Sequence, residues 1–190
     1  MVEVRPVGAG ALDDVDALFA TSVETDRCWC AWWLIPVNDY HAGGWAGNKA
    51  LFERIVDTDE IPAGLLAYDA GTAVGWCAAG PRSRYARAVR TPTFRGRDPA
   101  EDASVWFVPC FYVVRDARRA GVARALLDGA VTLAREHGAI AVEGFPYAGP
   151  TRRSGGDVQV GVESLFASCG FTAIRRPSPG RVVMRRTLTD

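Results

Sequence analysis

Lysine is nearly missing from this 190-residue chain: Lys49 is the only one, and the rest of the positive charge is arginine. We read that bias as a GC-rich coding preference, not as chemistry. Net charge is missing too. Twenty-two basic residues face 22 acidic ones and the pI is near 6.7, so there is no general pull toward nucleic acid or an anionic membrane. No apolar stretch reaches the roughly 20 residues that a bilayer crossing needs. The N-terminus carries acidic residues where a secretory leader has its apolar core. The expected location is therefore the cytoplasm. The five cysteines are odd in number and lack framework spacing, which excludes a disulfide scaffold and suits a reducing compartment. There is no repeat and no low-complexity tract. What is present is ordinary for a soluble chain, 48% apolar and 23% charged, and the length suits one domain over residues 1–190.

The rest of the chain is organised around Val105–His137, VWFVPCFYVVRDARRAGVARALLDGAVTLAREH. Val105–Val114 is rich in Val, Phe, Tyr and Trp and too apolar to be half exposed, so it predicts a buried strand. Val122, Leu126, Leu127, Val131 and Leu133 fall on one broad helical face, and Gly138 supplies a left-handed residue that ends the helix. The turn between them reads Arg118-Arg119-Ala120-Gly121-Val122-Ala123-Arg124. A helix start leaves about four N–H groups unpartnered, and its dipole favours an anion. Gly121 and Ala123 let a phosphate approach those amides, and Arg118, Arg119 and Arg124 add forked donors.

Arg-x-x-Gly-x-Ala directly after a strand resembles the acetyl-coenzyme A signature of the GNAT acetyltransferase superfamily. Further pieces fall in that family's order: Ala139–Phe145 (AIAVEGF) as the next strand and Leu165–Phe171 (LFASCGF) as the end of a fourth helix. CWCAWW, PAGLLAYDAG, VGWCAAGPRSRY and VEGFP together look like one bacterial subgroup with no assigned substrate. The resemblance implies an α/β fold with a mostly antiparallel mixed sheet of about seven strands, a splayed strand pair and helices on both faces. It implies acetyl-CoA as co-substrate, held by Arg118, Arg119, Ala120, Gly121, Val122, Ala123 and Arg124, with the main chains of Phe111 and Val113 offered to the pantetheine arm. Pro109 cannot donate to a ladder, and it falls where such folds bulge and splay.

Taken in order, Val2–Val7 alternates like a strand, and Ala11–Ala20 places Leu12, Val15 and Phe19 on one helical face behind acidic residues. Thr25–Trp45 gathers Trp29, Trp32, Trp33, Tyr40 and Trp45 beside Cys28, Cys30 and His41. A buried aromatic cluster is the leading reading. An aromatic wall over an acceptor pocket is the alternative. Zinc would want Cys28 and Cys30 on one strand face plus a second ligand pair, which is missing, so no metal is expected. Gly47–Val56 predicts a helix with Leu51, Ile55 and Val56 inward. Ile61–Tyr68 and Thr72–Ala79 predict strands joined at Asp69-Ala70-Gly71. Gly80–Asp102 reads as a solvated, arginine-rich loop, or as a flap drawing in an acidic acceptor.

Acetyl transfer to an amine needs a positioned thioester, a polarised carbonyl and a deprotonated amine. An N–H near Cys110 and Phe111 is expected to polarise the carbonyl. By the resemblance Glu143 is the base, since a carboxylate in an apolar strand has its pKa raised; Asp26, Asp39 and His41 are rivals. The family's acid tyrosine is replaced by Phe166, leaving Ser168, Cys169 or Tyr147 to substitute, and Gln159 stands where the family has Asn. The insert Tyr147–Val158 is a further candidate wall. Cys110 reads as a buried small hydrophobe before a nucleophile. The expected activity is N-acetyl transfer to a small-molecule amine by direct attack in a ternary complex. A silent coenzyme A sensor, a peptide acetyltransferase and a zinc module are alternatives, and a homodimer suits the family.

Overall fold

The structure, a computed structural model, describes residues 2–149 and 159–188. Most of the insert foreseen at Tyr147–Val158 lies outside the described residues. Among the described residues seven strands form one sheet: β1 Glu3–Pro6, β2 Gly64–Asp69, β3 Thr72–Pro81, β4 Val105–Val113, β5 Ala141–Gly144, β6 Thr172–Ser178 and β7 Arg181–Thr187. Their order is β1-β2-β3-β4-β5-β7-β6. Only β4 and β5 run parallel; the remaining neighbours are antiparallel. The turn Ala70-Gly71 between β2 and β3 has positive φ at both residues, as a two-residue hairpin of that twist requires.

Helices cover both faces because the strand residues alternate. Cys77 and Ala79 of β3 pack with Phe111 of β4 beneath α4 (Val122–Glu136). Trp76 and Ala78 point the other way, to α1 (Leu12–Phe19) and α3 (Val37–Thr58). The foreseen α4 face is fully buried, and Gly138 takes φ +70° just past its end. Leu126 and Leu127, both inaccessible, are each worth roughly 1.5–3 kcal/mol of burial.

Two expectations need correction. The helix foreseen at Gly47–Val56 begins ten residues earlier, and Gly44 breaks it at φ 57°, ψ −164°, a region open essentially to glycine alone. Gly43, Gly44 and Gly47 hid that first segment from any periodicity. Its innermost residues are Asn48 and Phe52, with Leu51, Ile55 and Val56 half buried. The stretch Gly80–Asp102 is neither a solvated loop nor a flap. Tyr85, Ala88 and Phe94 are buried against Phe107 and Phe145. Its arginines hold carbonyls that no ladder takes: Arg84 Nη2 donates to Ile61 O at 2.7 Å and Arg97 Nη1 to Val89 O at 3.0 Å. Buried carbonyls need such partners.

Candidate functional site

The site begins with a gap in the sheet. The β4–β5 ladder ends at Val108↔Gly144, yet β4 continues along β3 to Val113. Between Phe107↔Gly80 and Cys110↔Ala78, two residues of β4 oppose one of β3. Val108 and Pro109 therefore form a bulge, where the missing proline N–H costs no ladder bond.

Beyond the bulge, Phe111 and Val113 turn their main chains away from β3 into the gap. The Phe111 N–H donates to Gln159 O at 2.5 Å, and the Val113 carbonyl accepts from Arg118 Nε at 3.0 Å. The Phe111 N–H foreseen as a polarising donor is thus already committed to Gln159. At the far end of the gap, Gly121 caps α4 with φ +83°, and a side chain there would have open space within 4 Å. Arg119 is left-handed too, at φ 64°. The conformation, not crowding, is what asks for glycine at 121.

Three cavities lie in line along this path. A pocket of about 300 Å³ surrounds the α4 start and takes in Arg118, Arg119, Gly121, Val122, Ala123 and Arg124. Of the foreseen turn residues only Ala120 is not part of it. It opens through Val113, Arg118 and Ala123 into a groove of about 890 Å³ along Phe111–Asp116. Tyr112 lies in that groove with its hydroxyl 2.6 Å from Thr21 Oγ1. The groove meets a third cavity of about 650 Å³ at two shared residues, Glu24 and Gln159. Trp32, Trp33, Tyr40 and Tyr147 wall this third cavity.

The aromatic segment therefore divides. Trp29 is core, edge-on to Phe19 at 5.1 Å and Phe52 at 5.6 Å. Trp32 and Trp33 are wall, and Arg87 stacks over Trp32 at 3.4 Å while donating to its carbonyl. Trp45 is 62% exposed. Cys28 ends the short helix α2 (Val23–Cys28), and Cys30 sits in a left-handed turn, not on a strand. Among the described residues no three of His, Cys, Asp or Glu converge. Cys30 Sγ accepts from Trp76 Nε1 at 3.0 Å. Its contact with the Cys110 thiol, then burial, pushes its pKa well up, so it stays a thiol. Burial, then the nearby Cys28, moves Tyr40 up to about 12.

Glu143 is not at this junction and borders none of these cavities. It is 2% exposed, with Arg82 Nη1 donating to its Oε2 at 2.9 Å and Arg185 Nη1 to its Oε1 at 3.4 Å. The carboxylate foreseen as the base is held here between two guanidiniums, away from the junction, as an internal ion-pair partner. Asp26, Asp39 and His41 line neither the groove nor the aromatic cavity. Phe166 is inaccessible, its ring against Gly144, Gly161 and Phe171. Ser168 Oγ donates to Leu165 O at 2.8 Å, and Cys169 is buried. Of the three foreseen substitutes only Tyr147 borders a cavity.

The acid that does reach the junction is Glu24. The Ser22 hydroxyl, then its own N–H, holds its carboxyl below the usual carboxylate value. The signal for it was the Ser22-x-Glu24 start of α2, hidden because a six-residue helix shows almost no periodicity. Gly-free Val23–Cys28 is fixed from below: Thr25 Oγ1 donates to Phe19 O at 2.7 Å, and the buried Asn48 donates to Arg27 O at 2.8 Å. Val23, Glu24, Arg27 and Cys28 therefore face the cavity.

A mixed sheet opened beside β4, with a helix start at the end of the opening, defines the class: an acetyltransferase fold. Residues 23–147 match the sequence model of the Acetyltransferase (GNAT) family, and the chain belongs to that family. It is an acetyl-CoA-dependent N-acetyltransferase. No curated protein sequence matches it. Several solved structures match at low identity. An N-acetyltransferase from Staphylococcus aureus Mu50 is 16% identical, with a TM-score of 0.58 and coverage of 100% of this chain and 99% of that one. YncA of Salmonella typhimurium, solved with its cofactor acetyl-CoA, is 14% identical with a TM-score of 0.57, covering 100% and 95%. PaiA N-acetyltransferase from Thermoplasma acidophilum, in complex with coenzyme A, is 12% identical with a TM-score of 0.56, covering 99% of each. Among the described residues no helix is long and apolar enough to cross a membrane.

Proposed function

We propose that residues 1–190 act as one cytoplasmic catalytic unit that transfers the acetyl group of acetyl-CoA to the amine of a small molecule, by direct attack in a ternary complex. One observation carries the reading: the long groove and the aromatic cavity share Glu24 and Gln159, so a thioester and an amine held in the two would meet there. In this reading the pyrophosphate lies on the Gly121, Val122 and Ala123 amides beside Arg118, Arg119 and Arg124. The pantetheine arm lies along Phe111 and Val113. Glu24 holds the amine at the thioester. The aromatic walls favour a small acceptor over an open peptide groove. No thiol at the junction is set up as a nucleophile: Cys110 is buried, with its S–H directed to Phe111 O at 3.8 Å.

Calorimetric titration with acetyl-CoA tests the cofactor half on wild type, Arg118→Ala and Ala123→Glu. Position 123 is preferable to 121, where any side chain is strained by the positive φ. Micromolar binding by wild type, weakened about tenfold by R118A and abolished by A123E, is the expected result. Unchanged binding by A123E would remove the phosphate site. Release of the coenzyme A thiol with a panel of amines tests the transfer half.

A further inference from the structure

The cavity face of α2 carries one acid and one base a turn apart, Glu24 and Arg27. Residues at i and i+3 are neighbours on a helix and ordinarily pair. Here no ion pair joins them, and the Arg27 side chain has no acidic partner among the described residues. Their backbones are held by Thr25 and Asn48, so both side chains stand over the same space. They differ in one respect. Glu24 borders both the long groove and the aromatic cavity, whereas Arg27 borders only the aromatic cavity. Arg181 also lines the aromatic cavity, its guanidinium 3.8 Å over the Tyr147 ring. Positive charge is therefore set back from the reacting junction and the negative charge lies at it. Across the cavity stand Trp32, Trp33 and Tyr40, which offer flat apolar surface to the body of a ligand.

We infer that the acceptor is an aromatic amino acid or a close analogue: an ammonium for Glu24, a carboxylate for Arg27, and an aromatic body for the tryptophan wall. The inference rests on the acetyltransferase reading above and narrows its acceptor. The order of the charges also orients the ligand. The ammonium group is drawn toward the thioester and the carboxylate is held away from it, which avoids a repulsive approach of carboxylate and thioester carbonyl. A guanidinium meeting a carboxylate with two parallel N–H bonds favours the amino acid over its decarboxylated analogue, which offers Arg27 no acceptor. The chemical step keeps its balance: the bound ammonium first gives one proton to water, the freed amine nitrogen bonds to the acetyl carbon, the carbon–sulfur bond breaks, and the second nitrogen proton passes through water to the departing sulfur, so that coenzyme A leaves as the thiol.

The test compares L-phenylalanine with phenethylamine and L-tryptophan with tryptamine, at saturating acetyl-CoA, by thiol release. The wild type should favour each amino acid by about tenfold or more in kcat/KM, the worth of one charge-assisted pair. R27A should lose that preference, mainly through KM, and R27E should reverse it. Differences in amine pKa are the same for both enzymes, so the change in the ratio isolates Arg27. Melting curves of both variants check that they fold. A wild type that turns over phenethylamine and tryptamine as well as the amino acids, or a preference that survives in R27A, would overturn the inference while leaving acetyl transfer intact. Bound acetyl-CoA with no turnover of any of the four also overturns it. Failure to bind acetyl-CoA at all would instead strike the underlying reading, and the separate titration tells the two apart.

Discussion

Two of the chain's eight glutamates, Glu143 and Glu24, stand in opposite surroundings. Glu143 lies in an apolar strand and suggested a base with a raised pKa. Burial alone, however, does not make a base, because a buried carboxylate is kept with partners. Arg82 and Arg185 come from a loop and from β7, both remote in sequence, so no local pattern could announce them. Glu24 is exposed, capped by Ser22, and sits on a helix too short to show a face. E143Q should therefore behave as a stability variant. Removing one partner of a buried ion pair costs about 3 kcal/mol or more, while kcat/KM at a permissive temperature stays within about threefold of wild type. A general base would instead lose 10²-fold or more. E24Q should leave the melting temperature nearly unchanged and lower kcat/KM about tenfold. The Glu24 carboxyl is held below the ordinary value and so stays charged across pH 5–8. No break in the kcat/KM profile should arise from it in that window. A break near pH 7 that vanishes in E24Q would make Glu24 a true base and refute the anchoring role.

At the scale of elements, the strand–turn–helix unit was fully legible and the loop before it was not. Val105–Glu136 declares itself because an apolar run, a proline and a 3.6-residue stripe all act within one segment. The stretch Gly80–Asp102 hides its order because short 3₁₀ turns leave no period, and because arginine looks solvated until its carbonyl partners are known. In that unit and in the strand after it, two glycines separate conformation from crowding. Gly121 has φ +83° and free space, whereas a Cβ at Gly144 would stand 2.2 Å from the Phe166 ring. G121A should cost about 1–2 kcal/mol, the left-handed penalty, and retain acetyl-CoA binding. G144A should cost more, since Phe166 is enclosed by Gly161 and Phe171 and has no room to yield. Equal losses of melting temperature in the two variants would contradict this division.

Across the whole molecule, one buried charge network ties the long loop to both β5 and β7. Arg82 spans Asp102 at 2.6 Å, the Asp98 carbonyl at 2.7 Å and Glu143 at 2.9 Å. Arg185 spans Glu101 at 2.9 Å and Glu143 at 3.4 Å. The loop carries Tyr85 and Phe94 into the core, and its Arg87 braces the Trp32 wall of the aromatic cavity, so the network anchors the segment that carries this brace. Its pH dependence follows from its acids. The Arg185 hydrogen bond holds Glu101 below its usual value. For Asp102, burial works against ionisation, but the bonds from Arg97 and Arg82 outweigh it and its pKa also falls. Carboxyls with lowered folded pKa contribute stability that is present above the unfolded value and lost as pH falls through the folded one. Melting temperature should thus be flat from pH 7 to about 5 and drop below about 4. R185A should melt lower than wild type at pH 7 by about 6 °C, for roughly 2 kcal/mol of charge-assisted bonding. That gap should narrow as the pH falls through the lowered folded-state pKa of Glu101, where the carboxyl protonates and the pair is lost. A gap of constant size from pH 7 to 3 would mean that Arg185 stabilises by packing alone, and that the network does not couple the loop to the sheet through charge.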